Sequence, residues 1–375
     1  MDPIAHSLAG ATLAQTGLKK FTPLATACLI ISANLPDIDG IANFLGRDTA
    51  LNYRRGITHG ILAMILLPAL LTGIFMVFDR WIRLKRHRQK KPIRPLAILT
   101  LSYLGVLSHP FLDWLNTYGV RLLMPFDGRW FYGDTLFIID PWMWLLMSIA
   151  VVYIYSKKRF CKISWLLLGL FASLLISLAS MVPLLAKLAW WLGFGIIICW
   201  RLTNNSRARN KQMARLSLAI FSSYLFAMSL INLKAKKVAE NWLKQKSPSQ
   251  SIINLMTGPL PANPFDRELI FASKEYYYGL KVSILSPDQI VTLFEPVQIK
   301  APNAIIEKAL AQEDIQGFVN WMRFPVYEVL EKKEGQFEVL IRDLRYVRPG
   351  QTEDIGIGFT KTFVSMDTDN NKAKR

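Results

Sequence analysis

Long apolar runs and short basic loops alternate along the first 232 residues, and a water-soluble composition follows from about residue 233. An α-helix needs about 20 predominantly apolar residues to cross a bilayer. The apolar runs therefore predict membrane segments at 21–36, 57–79, 97–118, 136–155, 163–181, 183–200 and 213–232. The runs at 57–79, 163–181 and 213–232 are the strongest. The first run, 3–18, is short and predicts a helix that only dips into the bilayer or is re-entrant.

The C-terminal part predicts a small α+β domain. Residues 233–246 are amphipathic and predict a helix that leaves the membrane, and Ser-Pro-Ser-Gln-Ser then marks a linker. Strand-like runs, a helix and a hairpin with Gly335 in its turn follow, which together favour an antiparallel sheet. These elements are predicted at 268–273, 276–285, 289–299, 303–322, 326–347 and 356–366. The tail, 367–375, is expected to be disordered.

The predicted fold class is mostly α, a polytopic helical membrane bundle with a small C-terminal α+β domain. Residues 1–232 would form the membrane domain and residues 233–375 the soluble domain. The chain carries 45 Lys and Arg against 27 Asp and Glu, a net charge of +18. Many of the basic residues lie in the loops 80–94, 156–162 and 201–211, which is typical of the cytoplasmic loops of membrane proteins. This pattern makes nucleic acid an unexpected partner, and contact with anionic lipid head groups is the second interpretation of the loops.

Residues 101–142 carry the candidate chemistry between apolar segments. The polar residues of this stretch include His109, Asp113 and Asn116. Ionisable groups at membrane depth are costly, and they usually mark a functional site. His109 and Asp113 are four residues apart, which places both on one face of a helix, and imidazole with carboxylate suits zinc, manganese or iron. Asp140 before Pro141 favours a helix cap, and Asp127 favours a plain turn.

The distribution of Lys and Arg predicts that the candidate ligands share one side of the membrane. When the basic loops are assigned to the cytoplasm, all six candidate ligands fall on the opposite side. These are His6, Asp37, Asp39, His59, His109 and Asp113. The set contains three of the four histidines, and the fourth, His87, lies in a basic loop as a solvated residue. Arg47, Arg54 and Arg55 run against this topology, although Arg54 and Arg55 would serve to bind an anionic substrate.

The resulting hypothesis is a metal centre formed by His6, Asp37, His59, His109 and Asp113. Five ligands exceed the three that a catalytic zinc usually takes from protein, so two divalent ions, zinc or manganese, sharing a carboxylate are expected. A lone histidine would more simply be a hydrogen-bonded residue of the bundle, and the coincidence of five groups favours the metal. Motifs for zinc proteases, phosphate-binding loops and serine hydrolases are absent from the sequence.

Three further residues are candidates for the chemistry. Asp39 is an additional ligand or orients a histidine. Arg55 balances the charge of a phosphate, with Arg54 and Arg121 as alternatives. Asn116 hydrogen-bonds a substrate or caps the end of its helix.

These motifs resemble the bacterial membrane-bound metal-dependent hydrolase family, of the LexA-regulated inner-membrane type. The matching motifs lie within about the first 230 residues, and they are His6-Ser-Leu-Ala-Gly10, Leu35-Pro-Asp-Ile-Asp39, Arg55-Gly-Ile-Thr-His59, His109-Pro-Phe-Leu-Asp113, Asn116-Thr-Tyr-Gly119 and Ile139-Asp-Pro-Trp142. The resemblance implies a multi-pass protein of the inner membrane and a hydrolytic reaction, and it implies no particular substrate.

The chain is also distantly similar to the zinc-dependent phospholipase C and P1 nuclease group. Those helical enzymes use His, Asp, His and then His-x-x-x-Asp, the order in which His6, Asp37, His59 and His109 with Asp113 occur here. This likeness implies that Asp37 or Asp113 bridges two ions. The group also uses a later His and a His-x-x-x-Glu, and no histidine follows His109 in this sequence.

The sequence therefore favours a membrane-embedded hydrolase that attacks a phosphoester with a metal-activated water at the non-cytoplasmic face. Its partners would be membrane lipid and a small-molecule or lipid-linked phosphoester. The alternative is a non-enzymatic membrane protein that binds metal as a sensor or scaffold. A third hypothesis, a transporter, predicts ligands near the middle of the bilayer.

Overall fold

The computed structural model describes residues 1–203, 210–351 and 356–366. The predicted tail, 367–375, lies outside these residues, as does part of the basic loop 201–211. The α-helices are α1 (Pro3–Gln15), α2 (Ala25–Asn34), α3 (Arg47–Tyr53), α4 (Ile61–Phe78), α5 (Leu84–Arg86), α6 (Pro95–Trp114), α7 (Pro141–Tyr155), α8 (Arg159–Leu178), α9 (Leu184–Thr203), α10 (Asn210–Lys246), α11 (Ala304–Leu310) and α12 (Gln316–Trp321). The strands are β1 (Asn254–Leu260), β2 (Asn263–Ala272), β3 (Tyr276–Ser283), β4 (Ser286–Gln298), β5 (Pro325–Lys333), β6 (Gln336–Asp343) and β7 (Phe359–Ser365).

Within the described ranges, five helical segments are long and apolar enough to cross a membrane. They are Ile61–Arg86, Pro95–Trp114, Arg159–Leu178, Leu184–Thr203 and Lys211–Lys246. The predicted segments at 21–36 and 136–155 form shorter helices, α2 with 10 residues and α7 with 15. Proline limits both, because Pro23 and Pro36 flank α2 and Pro141 begins α7. The predicted polytopic helical bundle is confirmed, with fewer full-length spans than the apolar runs indicated.

The contact between α2 and α6 positions three of the candidate ligands, namely Asp37, His109 and Asp113. Gly105 of α6 lies against α2 so closely that a Cβ atom there would be 1.8 Å from Ser32 Oγ and 3.1 Å from the backbone nitrogen of Ala33. Small residues let membrane helices approach to backbone contact. Gly105 precedes His109 by about one helical turn, so this contact holds the end of α2 beside the end of α6 that carries His109 and Asp113.

The chain divides into two compact units. The first contains Met1–Ile38, Arg55–Leu233 and Gly258–Asp266, and the second contains Asp39–Arg54, Lys234–Thr257 and Arg267–Arg375. Helix α10 contributes to both, whereas the sequence predicted a membrane segment at 213–232 and a separate amphipathic helix at 233–246. The helix continues because neither glycine nor proline occurs between residues 210 and 246.

The C-terminal part of the chain forms two small sheets where one antiparallel sheet was predicted. One sheet has the order β1-β2-β3-β4 and the other β5-β6-β7. Antiparallel registers include Lys281 opposite Val291 and Val339 opposite both Val329 and Thr362. The predicted hairpin turn is confirmed, with Gly335 at φ 70°. Strand β1 was not predicted, because it contains Gly258 and Pro259, and both residue types are uncommon in strands.

The predicted helix at 303–322 is broken into α11, a 3₁₀ turn and α12. Asn303 caps α11 by accepting a hydrogen bond from the Ile306 nitrogen at 3.0 Å. The carboxylate of Asp48 accepts hydrogen bonds from the nitrogens of Gly317, at 3.1 Å, and Phe318, at 2.9 Å. A carboxylate at a helix N-terminus satisfies free N–H groups, which explains why the second helix begins anew there.

Candidate metal centre

The candidate ligands lie at helix ends of the first unit. His6 is in the first turn of α1, and Asp37 follows the end of α2 in the 3₁₀ helix Leu35–Leu45. His59 ends the 3₁₀ helix Ile57–His59, immediately before α4. His109 and Asp113 occupy the last two turns of α6. Positions at helix ends agree with the hydrolase hypothesis, which expected a site at one face, and not with the transporter hypothesis, which predicted ligands near the middle of the bilayer.

Four of these residues direct ligand atoms at a common point. One atom each of Asp37, His59, His109 and Asp113 lies within 4.8 Å of the others. The Nε2 atoms of His59 and His109 are 3.0 Å apart. Asp113 Oδ2 is 3.3 Å from Nε2 of His59 and 3.6 Å from Nε2 of His109. Asp37 Oδ1 is 3.9 Å and 3.6 Å from the same two nitrogens.

The hydrogen bonds of the two imidazoles direct their Nε2 lone pairs into the cluster. His109 Nδ1 lies 2.7 Å from the carbonyl oxygen of Ala33, which can only accept, so the proton resides on Nδ1. His59 Nδ1 lies 3.0 Å from Thr58 Oγ1. A hydroxyl can accept as well as donate, and when Thr58 accepts, the His59 proton lies on Nδ1 and its lone pair on Nε2. Two imidazole lone pairs and two carboxylates then meet in a buried site, an arrangement that a cation stabilises. A second hydrogen bond of this kind is the usual setting of metal-binding histidines.

The spacing fits the coordination shell of one divalent ion. Tetrahedral ligand atoms at about 2.0–2.1 Å from an ion lie about 3.3–3.4 Å from one another. The five distances above range from 3.0 to 3.9 Å. Two imidazoles and two carboxylates suit zinc or manganese. Asp37, His59, His109 and Asp113 would therefore hold such an ion, and the four donors account for a single ion of the two that the sequence predicted.

His6 borders the four residues without being one of them. Its ring stacks on His109 with centroids 3.7 Å apart, and its Nε2 lies 3.3 Å from Asp113 Oδ1. The Met1 amino group also contacts Asp113 Oδ1. His6 Nδ1 is buried, and the described part of the chain offers it no hydrogen-bond partner. His6 thus supports the ligand Asp113 and the ligand His109 from one side.

Arg55 reaches the cluster from the other side of Asp113. Its Nε lies 2.9 Å from Asp113 Oδ2. Its Nη1 donates to Asn116 Oδ1 at 3.0 Å and to the Gly119 carbonyl at 3.1 Å, and its guanidinium lies 4.6 Å from the centre of the Tyr118 ring. Arg55 has a positive φ of 50°, an uncommon backbone conformation for a non-glycine residue. The guanidinium is therefore held in one orientation beside a ligand carboxylate.

The remaining predicted residues have different positions. Asn116 is buried and accepts hydrogen bonds from Arg55 and from the Tyr118 nitrogen, at 2.9 Å. Asp39 and Arg54 belong to the second unit, and Asp39 is not one of the four converging ligands. The Arg121 nitrogen donates to the Arg55 carbonyl at 2.9 Å, and its guanidinium lies over Trp130.

Two structural roles predicted for acidic residues are confirmed: a helix cap for Asp140 and a turn for Asp127. Asp140 accepts from the Met143 nitrogen at 2.8 Å and caps α7. Asp127 accepts from the Arg129 nitrogen at 2.8 Å in a turn. Two contributors to the site, the Ala33 carbonyl and the Thr58 hydroxyl, had no prediction. Thr58 could have been found as the neighbour of His59, whereas a backbone carbonyl has no signature in the sequence.

The fold and the site together define a multi-pass membrane protein whose helical bundle buries a His–Asp cluster able to hold a divalent ion. Residues 1–184 match the family model described as YdjM inner membrane protein. This match contains all four converging ligands, and it confirms the expected likeness to a bacterial inner-membrane family. The metal-dependent hydrolase and LexA-regulated parts of that expectation stay predictions.

One curated relative is similar over part of the chain. It is the protein of Bacillus subtilis (strain 168) named "Uncharacterized protein YfhP", 25% identical over 126 residues. The similarity covers 33% of this chain and 35% of the relative, so the chain matches about a third of that protein's length. No solved structure matches the chain.

Proposed function

We propose that this protein is a membrane-embedded, metal-dependent hydrolase of a phosphoester, lipid or lipid-linked, at the non-cytoplasmic face. The observation that supports the proposal most is the pair of imidazoles whose Nδ1 atoms are occupied by hydrogen bonds while their Nε2 atoms, 3.0 Å apart, meet two carboxylates. His59, His109, Asp113 and Asp37 would hold the ion, and Asp37 lies at the more exposed edge. A divalent ion bound there lowers the pKa of a coordinated water and polarises a phosphoryl oxygen.

Asp37 is the residue that would handle the proton. It is the least buried of the four ligands, with 16% of its side chain exposed, while the other three are fully buried. Substrate and water reach the cluster from the exposed edge, so the Asp37 carboxylate meets them first. In the proposal it accepts the proton of the attacking water, a role for which a carboxylate is suited.

Arg55 supplies positive charge for the phosphate. Its guanidinium is oriented by Asp113, Asn116 and the Gly119 carbonyl, and a fixed guanidinium stabilises charge that develops on phosphoryl oxygens. Asn116 then acts as a positioning residue, because its Oδ1 holds Arg55. Its Nδ2 is buried and has no hydrogen-bond partner in the ranges that the structure covers, which leaves a donor for a substrate oxygen.

The test combines metal content with hydrolysis. The full-length protein, purified in detergent, is measured for bound zinc and manganese by elemental mass spectrometry and is assayed on a chromogenic phosphodiester and on phospholipids. His109→Ala and Asp113→Ala are expected to lose the metal and the activity. His87→Ala, a histidine exposed in a basic loop, is the matched control and should keep both. Full metal content in both ligand variants would contradict the metal centre.

One observation favours the alternative of a non-enzymatic metal-binding sensor or scaffold. Four protein donors can close a tetrahedral shell, as in structural zinc sites, whereas a catalytic site keeps an open position. X-ray absorption spectroscopy of the zinc-loaded protein separates the two. A shell of four protein ligands with no water, together with no hydrolysis by a fully loaded protein, would favour the sensor. A shell that includes an oxygen from exchangeable water favours the hydrolase.

A further inference from the structure

A large apolar cavity lies in the first unit, away from the metal cluster. Its volume is about 910 Å³, and α1, α7, α8 and α9 border it. This size lies within the range of about 300–1,000 Å³ that is common for sites of small organic ligands. Aromatic and aliphatic side chains dominate the lining, among them Trp165, Leu168 and Phe194. Such a surface suits hydrocarbon.

The cavity extends along α8 for a distance greater than the depth of one leaflet of a bilayer. Lys162 and Leu175 both line it and are 13 positions apart on α8. At 1.5 Å per residue these positions are separated by about 20 Å. The hydrocarbon core of a bilayer is about 30 Å thick, so one leaflet contributes about 15 Å. A lipid chain of ordinary length can therefore lie fully within the cavity.

One end of the cavity is basic. The C-terminus of α7, the N-terminus of α8 and the C-terminus of α9 meet there, and they contribute Ser156, Lys162 and Arg201 to the lining. Arg201 Nε donates to Ser156 Oγ at 2.6 Å, and its Nη2 donates to the Ser156 carbonyl at 2.7 Å. The guanidinium is thus held at the mouth, while Lys162 is exposed beside the loop 156–162.

The other end adjoins the helix that carries His6. Ile4, Leu8 and Ala11 form the face of α1 that lines the cavity, at the spacing of one helical stripe. His6 is buried and stacks on His109, so it projects from α1 toward the metal cluster. An occupant of the cavity would support α1 from one side while the cluster contacts it from the other.

We propose that this cavity binds one anionic phospholipid. The acyl chain lies between α8 and α1, and the head group lies at Lys162 and Arg201. The bilayer supplies the ligand, the apolar lining selects hydrocarbon, and two basic residues at the mouth select negative charge in the head group. This lipid site requires no hydrolytic activity, so it is independent of the proposed function.

Native mass spectrometry tests the charge preference. The detergent-purified, full-length protein is titrated with phosphatidylglycerol and with phosphatidylcholine that have identical acyl chains. We expect one tightly bound phosphatidylglycerol and weaker binding of phosphatidylcholine. The double variant Lys162→Gln/Arg201→Gln should weaken phosphatidylglycerol binding by about 10- to 30-fold, because each basic residue near an anionic head contributes roughly a factor of five. Glutamine keeps a donor for the Ser156 contacts.

The matched control removes the same charge elsewhere. Arg80→Gln/Arg86→Gln changes two exposed basic residues of the 80–94 loop and should leave lipid binding unchanged. Equal binding of the two lipids by the unmodified protein would overturn the proposal. So would an equal loss of phosphatidylglycerol in both double variants, because a general loss of surface charge would then explain the result.

Filling the cavity tests the location. Ala172 lines the cavity on α8, and Ala172→Trp is expected to abolish the binding of both lipids. Ser148→Phe on α7 is a second filling variant, in case one of them reduces the yield of folded protein, and far-ultraviolet circular dichroism checks the fold of each. Unchanged lipid binding by a folded filling variant would mean that lipid binds elsewhere on the bundle surface, and the proposal would fail.

Discussion

His109 donates from its Nδ1 atom to the carbonyl oxygen of Ala33 at 2.7 Å, and this bond joins α6 to the last turn of α2. The bond determines which imidazole nitrogen is free for a metal. The same two helices meet at Gly105 and Ser32, one turn away. Helix packing and ligand orientation are therefore coupled at this point of the bundle, and changing one should change the other.

Gly105→Ala is predicted to weaken metal binding without removing a ligand. A Cβ atom at position 105 would lie 1.8 Å from Ser32 Oγ and 2.8 Å from Ser32 Cβ, so rotation of the hydroxyl does not relieve the clash and α2 must shift. We expect a loss of stability of about 1–3 kcal/mol. Metal affinity should fall about 10- to 100-fold, as when a ligand's supporting hydrogen bond is lost. Competition with a chromophoric chelator measures the affinity.

The control for that variant is Gly73→Ala on α4, where an added Cβ meets no atom within 4 Å. It should keep the affinity of the unmodified protein. If Gly105→Ala binds metal as tightly as Gly73→Ala does, the Ala33 carbonyl does not orient His109 in the way described.

Thr58→Val is predicted to reduce metal affinity through His59. The hydroxyl oxygen of Thr58 lies 3.0 Å from His59 Nδ1, and valine keeps the shape but removes the acceptor. The imidazole then loses its hydrogen bond at Nδ1, and the affinity should fall about tenfold or more. Thr58→Ser retains the acceptor and should retain the affinity. The chelator competition is again the measurement, and identical affinities for the two variants would count against the tautomer assignment.

Asn116→Ala is predicted to separate catalysis from metal binding. Asn116 touches Arg55 through a 3.0 Å hydrogen bond and is not one of the four converging ligands. We expect the metal content of the unmodified protein and a fall of about 10- to 100-fold in kcat/KM for a phosphodiester, because Arg55 is no longer held. Asn116→Asp keeps an acceptor for Arg55 and should recover part of the activity. Loss of metal in Asn116→Ala would instead assign Asn116 to the metal shell.

In the second unit, Asp48→Ala is predicted to loosen α12. Its carboxylate accepts from the nitrogens of Gly317 and Phe318, and loss of such a cap costs about 1–2 kcal/mol. Hydrogen exchange followed by mass spectrometry should show faster exchange in Gln316–Trp321. Asp314→Ala, an exposed acid in the preceding 3₁₀ turn, is the control and should leave that exchange nearly unchanged. Equal protection in the two variants would exclude a capping role for Asp48.

The three-stranded sheet is predicted to weaken in acid through Glu338. Hydrogen bonds from Lys332 and Lys361 on the neighbouring strands lower the pKa of Glu338 below its usual value. A group with a lowered native pKa stabilises the fold above its unfolded pKa, and that contribution is lost as the pH falls through the native pKa. Hydrogen exchange of Gln336–Asp343 should therefore rise relative to other strands between about pH 5 and pH 3. Glu338→Gln should abolish that relative rise, and an unchanged pH profile in this variant would exclude Glu338 as its source.

The metal centre shows what the distribution of residues along the sequence could and could not predict. The rule that counts only Lys and Arg grouped Asp37, His59, His109 and Asp113 on one side of the bilayer, and these four converge in the structure. It also grouped Asp39, which lies two positions from Asp37 but belongs to the other compact unit. Topology limits a residue to one side of a membrane and carries no information at the scale of a few ångströms.

The secondary structure of the C-terminal part likewise divides into elements that the sequence predicted and elements that depend on distant contacts. Local strand-like runs were sufficient to predict β3, most of β4 and the second half of β2, and residues 263–267 of β2 were not predicted. The interruption between α11 and α12 was not predictable in this way, because the Asp48 carboxylate that starts α12 is 269 positions from Gly317. Contacts between distant segments override the local preference for one continuous helix.

The sequence alone determined that this is a multi-pass membrane protein with a C-terminal α+β part, because the length of an apolar run, the charge of a loop and a strand-like pattern are local properties of the chain. It also determined which residue types are available to bind metal. Only the tertiary structure decided that four of them converge on one point, that His6 lies against them on one side, and that Ala33 and Thr58 contact the Nδ1 atoms of two imidazoles. Those relations depend on the distances at which α2, α4 and α6 pack, and packing distances arise only when segments far apart in the chain meet.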